Sequence, residues 1–166
     1  MRVPTRTDRP WMPDYGLSGS EDGLLAWSWA VDHLRAAPRY WVSSVDPFGQ
    51  PHLSAVWAVW VDDALWFSCG ARSRKARNLL LSGRCTAATE RADEAVTITG
   101  HAGRVTDGAV LGAVTDAYVA KYGEGFPDPG ANPLFAVHPD VVIGIVESDM
   151  QARSTRWTFA PSPLAL

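Results

Sequence analysis

The chain has 166 residues, of which 46% are hydrophobic and 20% are charged, a composition that excludes intrinsic disorder and favours one globular domain. Its net charge of −3 conceals a basic cluster, residues 71–84, which carries five positive charges and no acidic residue and leaves −8 on the rest of the chain. Nucleic-acid-binding domains are usually basic overall, so we expect no nucleic-acid partner.

The targeting signals of membrane and secreted proteins are not evident in the sequence. No uninterrupted apolar run approaches the roughly 18 residues that a membrane helix needs, and no apolar segment follows the N-terminal basic residues. We therefore expect a cytoplasmic protein without a membrane partner. Cys69 and Cys85 are not at a metal-binding spacing, so we expect reduced thiols, with an oxidised pair as the less favoured alternative.

The first 20 residues are rich in Pro, Gly and Arg and are predicted to form an extended arm. A helix is predicted to follow, with Ser20 as its N-cap and its end near Ala36, before Pro38. Four apolar residues at helical spacing support this helix: Leu24, Trp27, Val31 and Leu34.

A β-meander is predicted after this helix. Residues 39–45 and 64–69 are short strands, and residues 51–61 form a longer strand between them. The segments that join the strands, 46–49 and 62–63, are tight turns, and tight turns imply antiparallel pairing. The longer strand is predicted to place alternate residues on one face, namely Leu53, Ala55, Trp57, Val59 and Val61.

Helices alternate with strands in the second half of the chain. Residues 73–81 are predicted to form a short helix capped by Ser73, and Asp107 is predicted to cap another that ends at Tyr122, before Gly123. The strands of this half are predicted at residues 84–89, 95–105, 134–146 and 154–159. The strand at 134–146 is predicted to be interrupted at Pro139.

Six or seven antiparallel strands with short helices predict a mainly β fold. A small barrel is favoured over a sandwich, because closure of the sheet removes exposed strand edges. We expect residues 21–160 to form this single domain, preceded by the arm of residues 1–20 and followed by a tail at 161–166.

The basic cluster has an unusual position in the predicted helix. Arg74, Lys75 and Arg77 fall in the first turns after Ser73, where the helix dipole is positive and acidic residues are preferred. A phosphate bound there would gain free N–H donors, the helix dipole and the side-chain charges together. The pattern therefore indicates a phosphate site, with a solvated basic helix face as the alternative.

Several short motifs around the cluster form a set with a known counterpart. They are Pro51-His52, Trp66-Phe67-Ser68 and Ser73-Arg74-Lys75 with Ala76-Arg77-Asn78-Leu79 behind it, together with Gly23-Leu24-Leu25, Trp27-Ser28-Trp29 and Thr155-Arg156-Trp157. Over residues 10–160 this set resembles the pyridoxamine 5′-phosphate oxidase-like split β-barrel family, and its flavin and deazaflavin oxidoreductase branch most closely.

The resemblance implies an antiparallel split β-barrel of Greek-key type and a homodimer with a cofactor site at the subunit interface. The cofactor would be FMN or the deazaflavin coenzyme F-420. Its phosphate would be held by Arg74 and Lys75, with Ser73 nearby. Its ring would lie against His52, Leu53, Ser54, Ala55, Val56 and Trp57 and against Phe67 and Ser68, while Arg156 and Trp157 would reach a site from the other subunit.

The sequence departs from the family pattern at several positions. Ala55 stands where relatives often have Pro, and Ser82-Gly83 stands where they often have Asn-Pro. The true pyridoxamine phosphate oxidases carry a basic residue at both ends of the segment that begins at His52 and ends at Trp57. Those ends are His and Trp in this chain, which argues against oxidation of vitamin B6.

The implied activity is an oxidoreductase that transfers hydride between the cofactor and a small organic substrate. Such chemistry belongs to the cofactor, so we identify no catalytic residue; three tryptophans, Trp57, Trp60 and Trp66, are candidates for the pocket wall. A non-catalytic flavin- or deazaflavin-binding carrier on the same fold is the alternative function. Arg72, Arg77 and Arg84 offer charge for the polyglutamate tail of F-420, which slightly favours it over FMN.

Metal and haem chemistry are disfavoured by the pattern of histidines. His33, His52, His101 and His138 are scattered without ligand spacing, so we expect no metal site, and a haem protein on a related barrel would need an axial histidine. The sequence also has no phosphate-binding Walker loop and no nucleophile elbow.

Overall fold

The computed structural model describes residues 2–106, 110–126 and 131–161. These residues form nine β-strands, four α-helices and a short 3-10 turn at Glu147–Asp149. The strands are β1 (Arg6–Asp8), β2 (Tyr40–Val45), β3 (Pro51–Val56), β4 (Ala58–Val61), β5 (Ala64–Ser68), β6 (Arg84–Thr89), β7 (Glu94–Val105), β8 (Leu134–Val146) and β9 (Thr155–Thr158). The helices are α1 (Trp27–Ala36), α2 (Arg74–Ser82), α3 (Leu111–Tyr122) and α4 (Met150–Arg153).

All strand pairs are antiparallel and belong to one branched sheet with the order β1-β9-β8-β7-β6-β2-β3. The long strand β8 is the branch point, because residues 134–137 pair with β5 and residues 141–144 pair with β9. The strand β4 pairs with β5, and the single residue Trp57 joins β3 to β4 along the chain. This arrangement is the predicted mainly β split barrel, with more strands than the six or seven expected. The sheet does not close as the argument from strand edges predicted, since its path ends at β1 and β3.

The interior of the barrel forms the main hydrophobic core, with Tyr40, Phe67, Phe135 and Trp157 among its largest fully buried side chains. A second, smaller cluster lies where α3 packs on β4 and β5, and it contains Trp66, Val114 and Tyr118. Each large side chain buried in this way stabilises the fold by about 2 kcal/mol. The second cluster fixes α3 beside the junction of β3 and β4.

The first helix begins later than the sequence predicted. It starts at Trp27, and its N-cap residue, Ala26, makes no capping side-chain hydrogen bond. Ser20 instead accepts a local hydrogen bond from the Asp22 N–H, and Gly23 has a left-handed φ of +83°, which a helix does not accommodate. Arg9 holds this segment as a loop, since its guanidinium donates to the carbonyls of Ser20 and Asp22.

Two predicted strands differ from the structure in their continuity. The predicted strand 51–61 is divided at Trp57, where the chain changes its pairing partner from β2 to β5. Strand β8 is not interrupted at Pro139; it continues through a bulge opposite Thr99 and Gly100. The predicted capping role of Asp107 lies outside the described residues.

Three local predictions are confirmed. Strand β6 has the predicted bounds, the Ser73 hydroxyl caps α2 by accepting a hydrogen bond from the Ala76 N–H at 3.1 Å, and Gly123 ends α3 with a φ of +75°. Within the described residues, no helix has the length and apolar character needed to cross a bilayer.

Candidate functional site

The basic helix α2 buries one of its cations. Lys75 is only 7% exposed, and its Nζ donates a 3.0 Å hydrogen bond to Ser54 Oγ on β3. The ammonium also lies 5.6 Å from the ring centroid of Phe67. Burial lowers the pKa of Lys75, and the electrostatic effect of the nearby Cys69 side chain partly opposes this shift.

Lys75 has no carboxylate partner within the described residues, although burial of an unpaired charge is costly. Its position in the first turn of a helix adds the free N–H groups and the positive end of the dipole. Arg74 is exposed beside it. The combination of a buried, uncompensated cation and a capped helix start has the chemistry of an anion-binding site.

Lys75 opens into a cleft of about 470 Å³ between β3, β5, α2 and α3. Five of its lining residues belong to the predicted cofactor site, namely Ala55, Val56, Trp57, Ser68 and Lys75. Arg39 and Tyr118 complete the lining. The part of the lining that the structure describes therefore contains two cations, two aromatic rings and no carboxylate.

The strand β3 has a free edge beside this cleft. It ends the hydrogen-bonded path of the sheet, so within the described residues one side of its backbone pairs with no strand. Unpaired N–H and C=O groups along such an edge can hydrogen-bond a planar ligand. By contrast, Phe67 on β5 is paired on both sides, with Ala58 and Phe135, and its side chain is fully buried.

The remaining predicted residues of β3 and β5 have different environments. Leu53 is 60% exposed, and His52 is half-buried with its Nδ1 atom enclosed and without a hydrogen-bond partner. The Ser68 hydroxyl donates to the carbonyl of Asn132 at 3.1 Å. Leu53 therefore faces away from the core, while Ser68 also anchors the loop that precedes β8.

A second group of side chains meets at Trp57, which lines the cleft three residues along the chain from Ser54, the partner of Lys75. Trp57 stacks on Tyr122 with ring centroids 4.7 Å apart and 15° between the planes. The Arg39 guanidinium lies beside this stack, 4.7 Å from the Trp57 ring centroid and 5.5 Å from that of Tyr122. The Tyr122 hydroxyl lies 2.9 Å from the Ala58 carbonyl and 3.1 Å from the Pro38 carbonyl, so it ties α3 to the starts of β2 and β4.

Lys121 binds the same part of the backbone as Tyr122, at Ala58. Its Nζ donates to the Tyr40 hydroxyl at 3.0 Å and to the Ala58 carbonyl at 3.1 Å. Burial lowers the pKa of Lys121 to about 8, and burial raises that of Tyr40 well above its usual range. The two groups therefore form a buried pair of hydrogen-bonding partners in which the phenol stays neutral.

The structure places Arg156 and Trp157 away from the lining of the cleft. Arg156 makes a bidentate ion pair with Asp8, at 2.8 and 2.7 Å, which lowers the pKa of the Asp8 carboxyl through the hydrogen bond. Trp157 has 0% exposure and packs edge-on against Trp27 in the core. The indole of Trp157 is therefore enclosed within its own subunit, and the contact of Arg156 and Trp157 with a site on the other subunit remains a prediction.

Arg39, Tyr118 and Tyr122 were missed by the sequence reasoning. Tyr118 is buried in the second hydrophobic cluster, and burial raises its pKa. The spacing of Tyr118 and Tyr122 places both rings on one helix face, which was the available signal. Within the described part of the chain, no group of His, Cys, Asp or Glu residues has the geometry to hold a metal ion.

Comparison with known proteins identifies one matching family. A family model described as pyridoxamine 5′-phosphate oxidase matches residues 30–145, which is more than two thirds of the chain. None of the curated proteins matches the chain.

Several solved structures share the fold at low sequence identity. A conserved hypothetical protein of Mycobacterium tuberculosis is 21% identical with a TM-score of 0.64, over 85% of this chain and 89% of that one. A heme binding protein of Mycobacterium smegmatis is 17% identical with a TM-score of 0.66, over 81% of this chain and 59% of that one. An F-420 reductase is 18% identical with a TM-score of 0.54, over 67% of this chain and 93% of that one.

Proposed function

This chain belongs to the pyridoxamine 5′-phosphate oxidase family, and from that premise we propose that it binds a flavin-type cofactor, FMN or the deazaflavin F-420, and transfers hydride between this cofactor and a small organic substrate. The observation that carries the proposal is Lys75, a buried and uncompensated cation at the start of α2 that opens into the cleft. A cofactor phosphate is the partner that this cation lacks.

The phosphate end of the cofactor fits the residues of α2. Lys75 would bind the phosphate directly, and exposed Arg74 would add a second charge at the same helix start. The Ser73 hydroxyl is engaged as the helix cap, so its role is to hold the first turn in place. The hydrogen bond to Ser54 fixes the Lys75 ammonium against β3.

The ring end of the cofactor fits the free edge of β3. Backbone groups of residues 52–57 would hydrogen-bond the ring and orient it, and Trp57 with Tyr118 would exclude water from its far end. When bound, the flavin or deazaflavin ring supplies the hydride chemistry. The protein then needs no acid–base pair of its own to perform the transfer.

The choice between FMN and F-420 depends on the charge around the phosphate end. Arg72, Arg77 and Arg84 are exposed near α2 and offer positive charge to the polyglutamate tail that only F-420 carries. This favours F-420, with FMN as the alternative. The family name does not identify the substrate. The two positions that are basic in the vitamin B6 oxidases are occupied by His52 and Trp57 in this chain.

A titration of the purified protein with each cofactor tests the proposal. We expect saturable binding of FMN or F-420, with Lys75→Met together with Arg74→Met weakening it by about 2 kcal/mol, which corresponds to about thirtyfold. Arg91→Met is the matched control, since Arg91 is exposed and paired with Asp93 and Glu94 away from the cleft. Failure of both cofactors to bind would overturn the proposal.

A non-catalytic carrier of the same cofactor is the second candidate, because aromatic residues grouped around the cleft suit storage as well as catalysis. Incubation of the reduced cofactor with a panel of quinones and enones separates the two. An enzyme oxidises the cofactor in the presence of an acceptor, whereas a carrier retains it unchanged. A haem titration belongs in the same experiment, although no histidine of the described residues lines the cleft.

We also propose that the protein is a homodimer in the cytoplasm. The outward side of β2 and β3 carries an apolar sheet face, defined by Trp41, Val45, Leu53 and Trp57, all of which are exposed. This face continues into the cleft through Ala55 and Trp57, so a second copy seated on it would cover the cofactor. Both cysteines are free, which suits a reducing compartment.

A further inference from the structure

Two cations line the cleft, and only one of them is explained by a cofactor phosphate. Lys75 contacts Ser54 on β3, while Arg39 contacts Trp57, three residues further along the chain. We propose that Arg39 is the substrate-recognition residue, and that the substrate is a planar unsaturated or aromatic molecule with a carboxylate or another anionic group. This inference rests on the proposed function, because it assigns the cofactor to the Lys75 end.

Arg39 forms no ion pair with a carboxylate in the described part of the protein. Its only hydrogen bond there runs from Nη1 to the adjacent carbonyl of Pro38, at 2.6 Å. Arg156 and Arg91, by comparison, are each held by a carboxylate, Asp8 and Asp93 respectively. In a chain with more acidic than basic residues, an arginine without an acidic partner beside a cleft is a candidate ligand-binding group.

The guanidinium of Arg39 also contacts two aromatic rings. It lies 4.7 Å from the centroid of Trp57 and 5.5 Å from that of Tyr122, beside the stacked pair. Within the described residues only its Nη1 donates a hydrogen bond, so its other N–H groups are available to a carboxylate. Tyr122 fixes both Pro38 and Ala58 through its hydroxyl, so the backbone on each side of this contact is restrained.

The other residues that line the cleft favour an apolar body for the substrate. Trp57 and Tyr118 present aromatic surface, and Ala55 and Val56 present small apolar side chains. A flat apolar body would pack on these groups while its anionic group pairs with Arg39. A cationic substrate is disfavoured, because none of the described residues that line the cleft is a carboxylate.

The inference can be tested with two matched probes, 2-naphthoate and the uncharged 2-naphthalenemethanol, measured by calorimetry at low salt. The measurement is made with the protein alone and with the protein saturated with FMN. We expect the wild-type protein to bind 2-naphthoate about tenfold more tightly than the neutral probe, and Arg39→Met to abolish that difference while leaving the affinity for the neutral probe unchanged. Arg39→Lys, which keeps the charge but not the planar fork, should retain part of the preference.

A matched control makes the result decisive. Arg35→Met removes an exposed cation from the last turn of α1 that does not line the cleft, and it should leave the preference intact. Equal affinity for the two probes in the wild-type protein, or a preference that persists undiminished in Arg39→Met, would overturn the inference. If neither FMN nor F-420 binds, the proposed function fails, but the measurement on the protein alone still tests Arg39.

Discussion

A buried charge that serves a ligand should reduce the stability of the protein when the ligand is absent. Lys75 is 7% exposed and has Ser54 as its only hydrogen-bond partner in the described residues. Burial lowers its pKa, which means that the charged form is less favourable in the folded chain than in the unfolded one. This side chain is therefore retained at a cost to folding, as is common at functional sites.

We predict that Lys75→Met increases the free energy of unfolding by about 1 kcal/mol in phosphate-free buffer, while it weakens cofactor binding. Methionine fills the same volume beside Phe67 without an ammonium to desolvate. Urea denaturation followed by circular dichroism measures the change. Arg74→Met is the control, since its exposed charge should alter stability by less than about 0.5 kcal/mol. A marked loss of stability in Lys75→Met would mean that the lysine has a structural role.

Lys121 gives a prediction about pH. Burial lowers its pKa to about 8 from 10.5, so between these values the unfolded chain binds more protons than the folded one. Stability should therefore rise with pH across this interval, with the cost of the charged ammonium present in full below about pH 8. The difference in unfolding free energy between the wild-type protein and Lys121→Met isolates this contribution from those of other titrating groups.

Titration of the lysine side-chain carbons by NMR provides a direct measurement. We expect one resonance, absent from Lys121→Met, to titrate near pH 8. A value near 10.5 for that resonance would show that the Lys121 ammonium is solvated and that its contacts with Tyr40 and Ala58 are weak.

At the scale of elements, the bulge in β8 requires a glycine on the neighbouring strand. A Cβ atom at Gly100 would lie 2.1 Å from the carbonyl oxygen of His138 and 3.1 Å from Cα of Pro139. Both are backbone atoms, which cannot move without a change in the pairing of β7 with β8. The bulge therefore fits only when residue 100 has no side chain.

We predict that Gly100→Ala reduces the free energy of unfolding by about 3 kcal/mol or more. Gly103→Ala on the same strand is the matched control. A Cβ atom there would meet no atom within 4 Å, and alanine has a smaller entropic cost than glycine in a strand, so a neutral or slightly stabilising effect is expected. Thermal unfolding of both variants makes the comparison, and equal effects would contradict a bulge that depends on glycine.

The elements that the sequence predicted well are those with local determinants. The α2 helix is capped by Ser73 at its start, and it ends at Gly83, whose N–H donates to the carbonyl of Leu79. A short stretch of sequence therefore specifies both ends. The basic cluster was likewise a local signal, and Lys75 and its helix were found from it. The start of α1 was mispredicted, because the distant residue Arg9 holds the carbonyls of Ser20 and Asp22 in a loop.

The contacts within the site that the sequence did not reveal join distant segments. Arg39 precedes β2, Trp57 separates β3 from β4, and Tyr122 ends α3, yet Trp57 stacks on Tyr122 and Arg39 lies beside both rings. No sequence spacing relates these positions. The stack exists because α3 packs on β4, which only the tertiary fold determines.

At the scale of the whole molecule, the apolar sheet face leaves several large apolar side chains exposed to solvent. Trp41 is 45% exposed and lies directly across from Ala55, while Leu53 on the same side of β3 is also exposed. Large exposed apolar side chains grouped on one sheet are typical of an interface. Because the face leads into the cleft at Ala55 and Trp57, dimerisation and cofactor binding should depend on each other.

We predict that Leu53→Lys raises the dissociation constant of the dimer at least about tenfold and weakens cofactor binding with it, since a charge would be buried in the centre of the interface. Light scattering after size-exclusion chromatography gives the mass of each species. Phe48→Lys is the control, because Phe48 is 89% exposed at the tip of the β2–β3 hairpin, outside the apolar sheet face.

A Leu53→Lys protein that remains a dimer and binds cofactor normally would place the subunit interface on another surface. A monomeric variant that still binds cofactor would separate the cleft from the interface, and each subunit would then hold its cofactor alone.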